Sequence, residues 1–185
     1  MWQYIIYALL MLYIFYWLIS VIRKRMVGET YEAFGLGLYF TQIFWSQYWM
    51  KLDIQALRVI GFILFIPALL FVAASFATLK AKGKPTDSWE STTSFVQNGV
   101  YRVTRHPMFL GTAIWSFALV LVIQSLISVI LALIAIFCFW MASKKEEEFN
   151  LTKFGDGYRK YLDTVPRWNF IKGMKYLKRE ENFKI

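Results

Sequence analysis

The chain has 185 residues, of which 58% are hydrophobic and 19% aromatic, and it carries a formal net charge of +9. A soluble domain holds about 45–50% apolar residues, so the excess must face something other than water, and the length suits one domain with no separate soluble catalytic unit. A charge of that sign could suit nucleic acid, but most of it lies in loops and a C-terminal tail beside apolar runs, where an anionic leaflet is the better match and no nucleic acid is expected.

Crossing a bilayer as a helix takes ~20 largely apolar residues. Residues 2–22 meet that length without a charge, and the basic cluster Arg23-Lys24-Arg25 follows the run instead of preceding it, as in a retained helix and unlike a cleaved leader. Residues 31–50 carry Gly35, Gly37, Gln42 and Gln47, so this segment spans, tilts or lies in the interface. Residues 59–79 form a clear span with a kink expected at Pro67. Two shorter spans, 109–123 and 126–142, are separated by Gln124-Ser125 and predict a tight helical hairpin. Cys138, the single cysteine, lies inside the last of these, which leaves no disulfide framework and no cysteine-rich metal site.

Basic residues number three after the first span, two before the third, five between Lys80 and His106, none in the Gln124-Ser125 turn and eleven from Lys144 onward. That alternation favours five spans with the N-terminus outside and the C-terminus cytoplasmic. Beyond Ala142, Leu151, Phe154, Tyr158, Tyr161, Leu162 and Val165 recur near helical spacing and predict an amphipathic segment, bent where Gly155 and Gly157 flank Asp156. The expected architecture is all-α. It is a single membrane domain, 1–185, made of a bundle of about five transmembrane helices with a C-terminal amphipathic segment. N-terminal helices occupy 2–79, a cofactor-binding core 80–170 and a basic tail 171–185.

Two constellations carry chemistry. Proline favours the first helical position, so Pro107 predicts a helix start whose free amides, with Arg105 and His106 beside them, suit a carboxylate or phosphate. The competing reading is that Arg105 snorkels to headgroups and His106 caps the helix. No second histidine exists to make His106 a metal ligand, and no metal is expected. The second constellation is Lys144-Lys145-Glu146-Glu147-Glu148. Carboxylates at a helix C-terminus oppose the dipole, so the run calls either for a cationic ligand or for pairing with nearby lysines. The hairpin brings both constellations to one membrane face. A zwitterion with a further positive centre fits that pair, and the amino-acid end of S-adenosylmethionine is such a group.

Residues 82–170 resemble the isoprenylcysteine carboxyl methyltransferase family and its phospholipid N-methyltransferase relatives. The matching string is Gly99-Val-Tyr101, then Arg105-His106-Pro107-Met108-Phe109-Leu-Gly111 and Glu146-Glu147. Phe154-Gly155-Asp-Gly-Tyr158-Arg-Lys-Tyr161 and Val165-Pro166 follow in order. The resemblance implies cofactor contacts from Tyr101, Arg105, His106, Pro107, Met108, Gly111, Glu146, Glu147, Tyr158 and Tyr161. It makes His106 and Arg167 the candidate catalytic residues. It also implies a lipidic acceptor entering from the bilayer beneath a C-terminal segment. The chain departs from the family in two places: Thr164 stands where prenylcysteine enzymes carry an arginine before Val-Pro, with Arg167 beyond the proline instead, and Phe109 replaces a usual tyrosine.

The reading that results is S-adenosylmethionine-dependent methyl transfer to a membrane lipid or lipidated substrate, a prenylcysteine-type carboxylate first, by a multi-pass protein with its site on the cytoplasmic side. A phospholipid amine or small thiol is the alternative acceptor. A sterol-type NADPH-dependent reductase and a non-enzymatic membrane adaptor are the rival classes.

Overall fold

The computed structural model describes residues 12, 15, 19, 27–45, 52–84 and 93–182. Six helices make up the described chain: α1 (Val27–Trp45), α2 (Gln55–Lys82), α3 (Pro107–Ile123), α4 (Leu126–Phe154), α5 (Asp156–Thr164) and α6 (Phe170–Asn182), with a short 3-10 turn at Gly99–Arg102. No strand occurs among the described residues. The span expected at 2–22 lies outside them, apart from the isolated helical positions 12, 15 and 19. The segment expected at 31–50 is helical from Val27 to Trp45. The other three fall inside α2, α3 and α4, of which α2 and α4 are long and apolar enough to cross a bilayer while α3 is shorter. Pro67 lies inside an unbroken α2.

The described residues divide into two compact units, and α2, α3 and α4 each contribute to both. In the first unit (Met1–Leu64 and Trp115–Lys145) small and polar residues are buried while large apolar ones are exposed. Ala118, Ala132, Ala135, Ser116, Ser128 and Gln42 are fully or nearly fully buried, whereas Leu133 is 64% and Phe137 58% exposed. In water that arrangement would be inverted. In lipid, where tails are as apolar as leucine, helices associate through small residues and interhelical hydrogen bonds, and this pattern follows. Gly35 lets the Phe139 ring come within 2.8 Å of where a Cβ would stand, and Gly61 does the same for the Ala118 carbonyl.

Gln42 supplies the polar part of this unit. Its amide nitrogen donates to the Ser116 carbonyl at 3.0 Å and to the Ser128 hydroxyl at 2.9 Å. At the hairpin Gln124 takes a left-handed φ of 56°, and its side chain holds Ile54 by both ends, accepting from the Ile54 N–H at 2.8 Å and donating to its carbonyl at 2.9 Å. The tight turn read from Gln124-Ser125 is therefore present, reinforced by a side-chain clamp that spacing alone did not reveal.

The second unit (Phe65–Ile114 and Glu146–Ile185) holds both constellations. Gly111 brings α3 against α2, where a Cβ would meet the Ala68 carbonyl at 2.8 Å. Helix α4 ends at Phe154, Gly155 turns the chain with φ 60°, and α5 begins at Asp156, so the expected bend is realised. The burial of Tyr158 and Tyr161 beside exposed Arg159 and Lys160 makes α5 amphipathic as expected. One expectation is corrected. Glu146–Glu148 do not sit at a helix C-terminus, because α4 continues past the apolar stretch to Phe154. The dipole argument against them lapses, and their placement has a different cause, given below.

Gln42→Ala removes the amide bonds to Ser116 and Ser128, and at roughly 0.6 kcal/mol per interhelical bond in a membrane it should destabilise by about 1–2 kcal/mol. Reversible unfolding in detergent would show this, and an unchanged midpoint would deny Gln42 a structural role.

Candidate active site

Three stretches build the site. The first runs from the 3-10 turn into α3. Gly99 has φ 57° and stands 3.0 Å, at its would-be Cβ, from the Thr78 hydroxyl, so only glycine fits and Tyr101 is delivered to a buried position. Pro107 is the first residue of α3, as expected, and His106 immediately precedes it. The second stretch is α4 where it runs beyond its apolar part. Glu147 is buried and Glu146 half exposed, as the ~100° step between helical neighbours requires. The third is the connection after α5. Its backbone pairs with the first: the Arg105 N–H donates to the Pro166 carbonyl at 3.0 Å, and the Thr104 hydroxyl to the Arg167 carbonyl at 2.6 Å. Pro166 lacks an N–H but supplies the acceptor needed, which is one physical use of the Val-Pro element.

Glu147 stands where these stretches meet. Its Oε1 accepts from Arg105 Nε at 2.9 Å and from Arg167 Nε at 2.9 Å, and lies 3.2 Å from His106 Nε2. Its Oε2 accepts from Arg167 Nη2, completing a bidentate pair. Arg105 Nη1 also donates to the carbonyls of Leu162 and Val165. The other ring nitrogen of His106, Nδ1, lies 3.2 Å from Glu146 Oε2. An imidazole with a carboxylate at each nitrogen is best satisfied as a cation donating from both. The Phe109 ring stacks on His106 with centroids 5.8 Å apart, a favourable neighbour for such a cation.

The titration behaviour follows from this geometry. Burial opposes the charge on Glu147, but Arg167, His106 and Arg105 outweigh it and lower the carboxyl from 4.5 to about 2. Burial likewise opposes the charge on His106, yet Glu146 and Glu147 outweigh it and raise its pKa above 6.5. Burial pushes the phenols of Tyr101, Tyr158 and Tyr161 up, so none ionises near neutrality.

Of the residues singled out in the sequence, Arg105, His106, Glu146, Glu147 and Arg167 form one charged cluster. Tyr158 and Tyr161 pack with Phe95 at centroid distances of 5.8 and 6.0 Å, and the Tyr161 hydroxyl donates to the Tyr101 carbonyl at 2.7 Å. Gly111 packs against α2. The pairing of the Glu run with nearby lysines is not what satisfies Glu147, since arginines and a histidine take that place. Sequence reading missed Thr104, Phe95 and the carbonyls of Leu162 and Val165. Only the last two had a signal, as backbone just ahead of a proline.

The phospholipid methyltransferase family model matches residues 57–157. That is more than half of the chain. The chain belongs to the phospholipid methyltransferase family. It is also 29% identical over 166 residues to the protein-S-isoprenylcysteine O-methyltransferase of Homo sapiens, a match covering 84% of this chain and 56% of that protein, so the chain spans little more than half the relative's length. No solved structure matches it. The resemblance read from the motifs is thus met at the level of family.

The site has a pH signature in the cofactor-free protein. Stability from Glu147, whose folded pKa is lowered, is present above 4.5 and is lost as pH falls toward 2. Stability from His106, whose folded pKa is raised, is present below 6.5 and is lost as pH climbs through the raised value. Melting in detergent should therefore peak between those limits. Glu147→Gln, which strands buried cations, should cost about 3 kcal/mol near neutrality, and His106→Asn should flatten the alkaline limb. An alkaline limb that persists in His106→Asn would show that another group titrates.

Proposed function

We propose that this protein is an S-adenosylmethionine-dependent membrane methyltransferase that acts on a lipidic acceptor arriving as an anion, a prenylcysteine-type carboxylate. The observation that carries the acceptor class is the state of the charged cluster. His106 faces a carboxylate at each nitrogen, and Glu147 already accepts from two arginines and the histidine. Neither is available to remove a proton. A carboxylate acceptor needs no base, whereas an amine or thiol does.

The chemistry of the donor set fits the cofactor's amino-acid end. Glu146, half exposed on the same helix, is the carboxylate best placed for an ammonium. The first-turn amides behind Pro107 suit the carboxylate of the same group, next to the positive charge of His106. Glu147 holds Arg105, His106 and Arg167 in position, and the aromatic set of Tyr158, Tyr161 and Tyr101 lines the neighbouring face. When bound, the cofactor supplies an activated methyl group. The chain's own tasks are to orient the acceptor, exclude water and hold a fixed positive field, since an in-line displacement depends on alignment more than on acid or base. Arg167, half-buried and beyond the proline, is the cation best suited to the acceptor's carboxylate, in place of the arginine that Thr164 replaces.

The family match favours one second reading, a phospholipid amine acceptor, with Glu146 as the remaining carboxylate able to take a proton. The reductase and adaptor readings have no support from that match. The basic residues of the loops favour a multi-pass arrangement of five spans with the site on the cytoplasmic side, and with residues 80–105 accessible to impermeant cysteine reagents from that side alone.

S-adenosylhomocysteine should raise the melting temperature of purified protein, by ~2.7 kcal/mol of stabilisation at 100 times its Kd, while NADPH should not. Glu146→Gln should weaken that binding about tenfold, the effect of one charged hydrogen bond, while cofactor-free melting changes mainly on its alkaline limb, because Glu146 also faces His106. Equal affinity in wild type and Glu146→Gln would remove the carboxylate from the cofactor site. The acceptor class separates by pH. A carboxylate acceptor gives a rate flat around neutrality, and an amine gives one that climbs about tenfold per unit until the amine is deprotonated.

A further inference from the structure

Helix α6 has three features that the methyltransferase reading does not use. It starts deep: the Phe170 ring packs edge-on against Phe71 at 5.2 Å, and Phe71 lies within the apolar stretch of α2. Counting back from Leu79 at 1.5 Å per residue puts that contact ~12 Å inside the apolar boundary. Next, α6 presses on the site-bearing segment. A Cβ at Gly173 would stand 1.8 Å from the Val103 carbonyl, so no other residue allows this approach, and Val103 is followed directly by Thr104, Arg105 and His106. Finally, its outer surface is divided by chemistry. Ile171 is 70% and Met174 38% exposed, and Lys172, Lys175, Lys178 and Arg179 precede the two acids of the helix, Glu180 and Glu181, at its end, which leaves the helix with a net positive charge.

Helical spacing arranges these features. Phe170, Gly173 and Leu177 share the face turned to the protein, Ile171 and Met174 lie on its flank with Lys178 between them, and Lys172, Lys175 and Arg179 lie opposite. A helix that begins at acyl depth, with exposed isoleucine and methionine beside long lysines, has the form of an interfacial segment whose apolar flank enters the bilayer while its ammonium groups reach headgroups. Charge complementarity selects the occupant. Zwitterionic lipid offers no net attraction to four basic side chains, whereas an anionic phospholipid surface does.

We infer that α6 is a docking element for anionic phospholipid, and that its seating on the bilayer holds the Val103–His106 segment in the geometry the charged cluster needs. The lipid contact stands on α6 alone. Its effect on the cofactor rests on the proposed function above. Gly173 is the mechanical link, because it is the point at which α6 touches the segment carrying Arg105 and His106.

The test uses the full chain in nanodiscs of phosphatidylcholine alone or mixed with phosphatidylserine. Ile171→Cys, labelled with bimane, reports depth through quenching by spin-labelled lipid. Phosphatidylserine should deepen the label several-fold in quenching ratio, since each basic side chain near an anionic surface gains about 1 kcal/mol, a factor of about five. The combined variant K172E, K175E, K178E and R179E should abolish that lipid dependence. Equal quenching in both bilayers, or quenching by aqueous iodide alone, would overturn the proposal and assign the surface to water or to a soluble partner.

For the coupling, phosphatidylserine should raise S-adenosylhomocysteine affinity in wild type. It should not do so in the charge-reversed variant, nor in Gly173→Ala, which keeps the charge and breaks the link. Lipid-dependent quenching with an affinity indifferent to lipid would refute the coupling and keep the docking. A wild type that binds no cofactor analogue in either bilayer would count against the methyltransferase reading, with the quenching result still deciding the docking.

Discussion

A single buried carboxylate organises the chemistry of this chain. Removing the Glu147 side chain from water carries a desolvation cost of several kcal/mol, which only close, well-aligned cations offset. Those cations come from two places far apart in sequence, Arg105 and His106 before α3 and Arg167 after α5. Burying one side chain thus requires two connections to converge on α4. The backbone bond from Arg105 to Pro166 and the bond from the Thr104 hydroxyl to the Arg167 carbonyl are the structural record of that convergence. The cluster also sets the protonation of its members: a carboxylate on each side of His106 holds it as a cation, and three cations hold Glu147 as an anion.

Membrane solvation imposes a different constraint on the rest of the molecule. Where lipid covers the surface, large side chains carry no penalty outside and small ones are needed inside, and the first unit follows that rule with buried alanines, serines and Gln42 and outward leucines and phenylalanines. The second unit buries polar and ionisable side chains as well, among them Thr104, His106, Glu147, Tyr158 and Tyr161. Helix α4 carries both regimes. It is apolar to Ala142, then a lysine pair, then the glutamates, all without a break in the helix.

Much of this was legible in the sequence, and for physical reasons. Apolar length marks a spanning helix, proline at a helix start and glycine at positive φ mark the boundaries of α3, α4 and α5, and the Gln124-Ser125 interruption marks the hairpin. The partnership of Glu147 was not legible. Sequence shows a run of three glutamates next to lysines, and the nearest charges along the chain suggested the wrong partners. Long-range pairing is decided by burial, and only the turn of α4 determines that Glu147 faces inward while Glu146 and Glu148 do not. The packing of Gly111 was not legible either. The close crossing of α3 over Ala68 in α2, which its lack of a side chain allows, appears only in the structure. Gly173 lay outside the motif altogether, and its role appears only once the Val103 carbonyl is seen against it.

The filled coordination of Glu147 also limits how a cationic ligand can be received. With both oxygens engaged, an incoming ammonium must either displace a guanidinium or bind elsewhere. Displacing Arg167 would break a bidentate, charge-assisted pair in a half-buried setting, which is among the stronger polar interactions a protein forms. Glu146 offers an easier route, because half of its side chain is exposed and its contact in the cluster is a histidine already shared with Glu147. The two adjacent glutamates therefore divide the work by orientation. The inward one fixes the cations, and the outward one keeps half of its side chain in solvent. A helix running on past its apolar stretch produces that division automatically, since consecutive side chains point ~100° apart. The two members of the Glu-Glu pair thus differ in setting, Glu147 enclosed by cations and Glu146 half exposed beside His106.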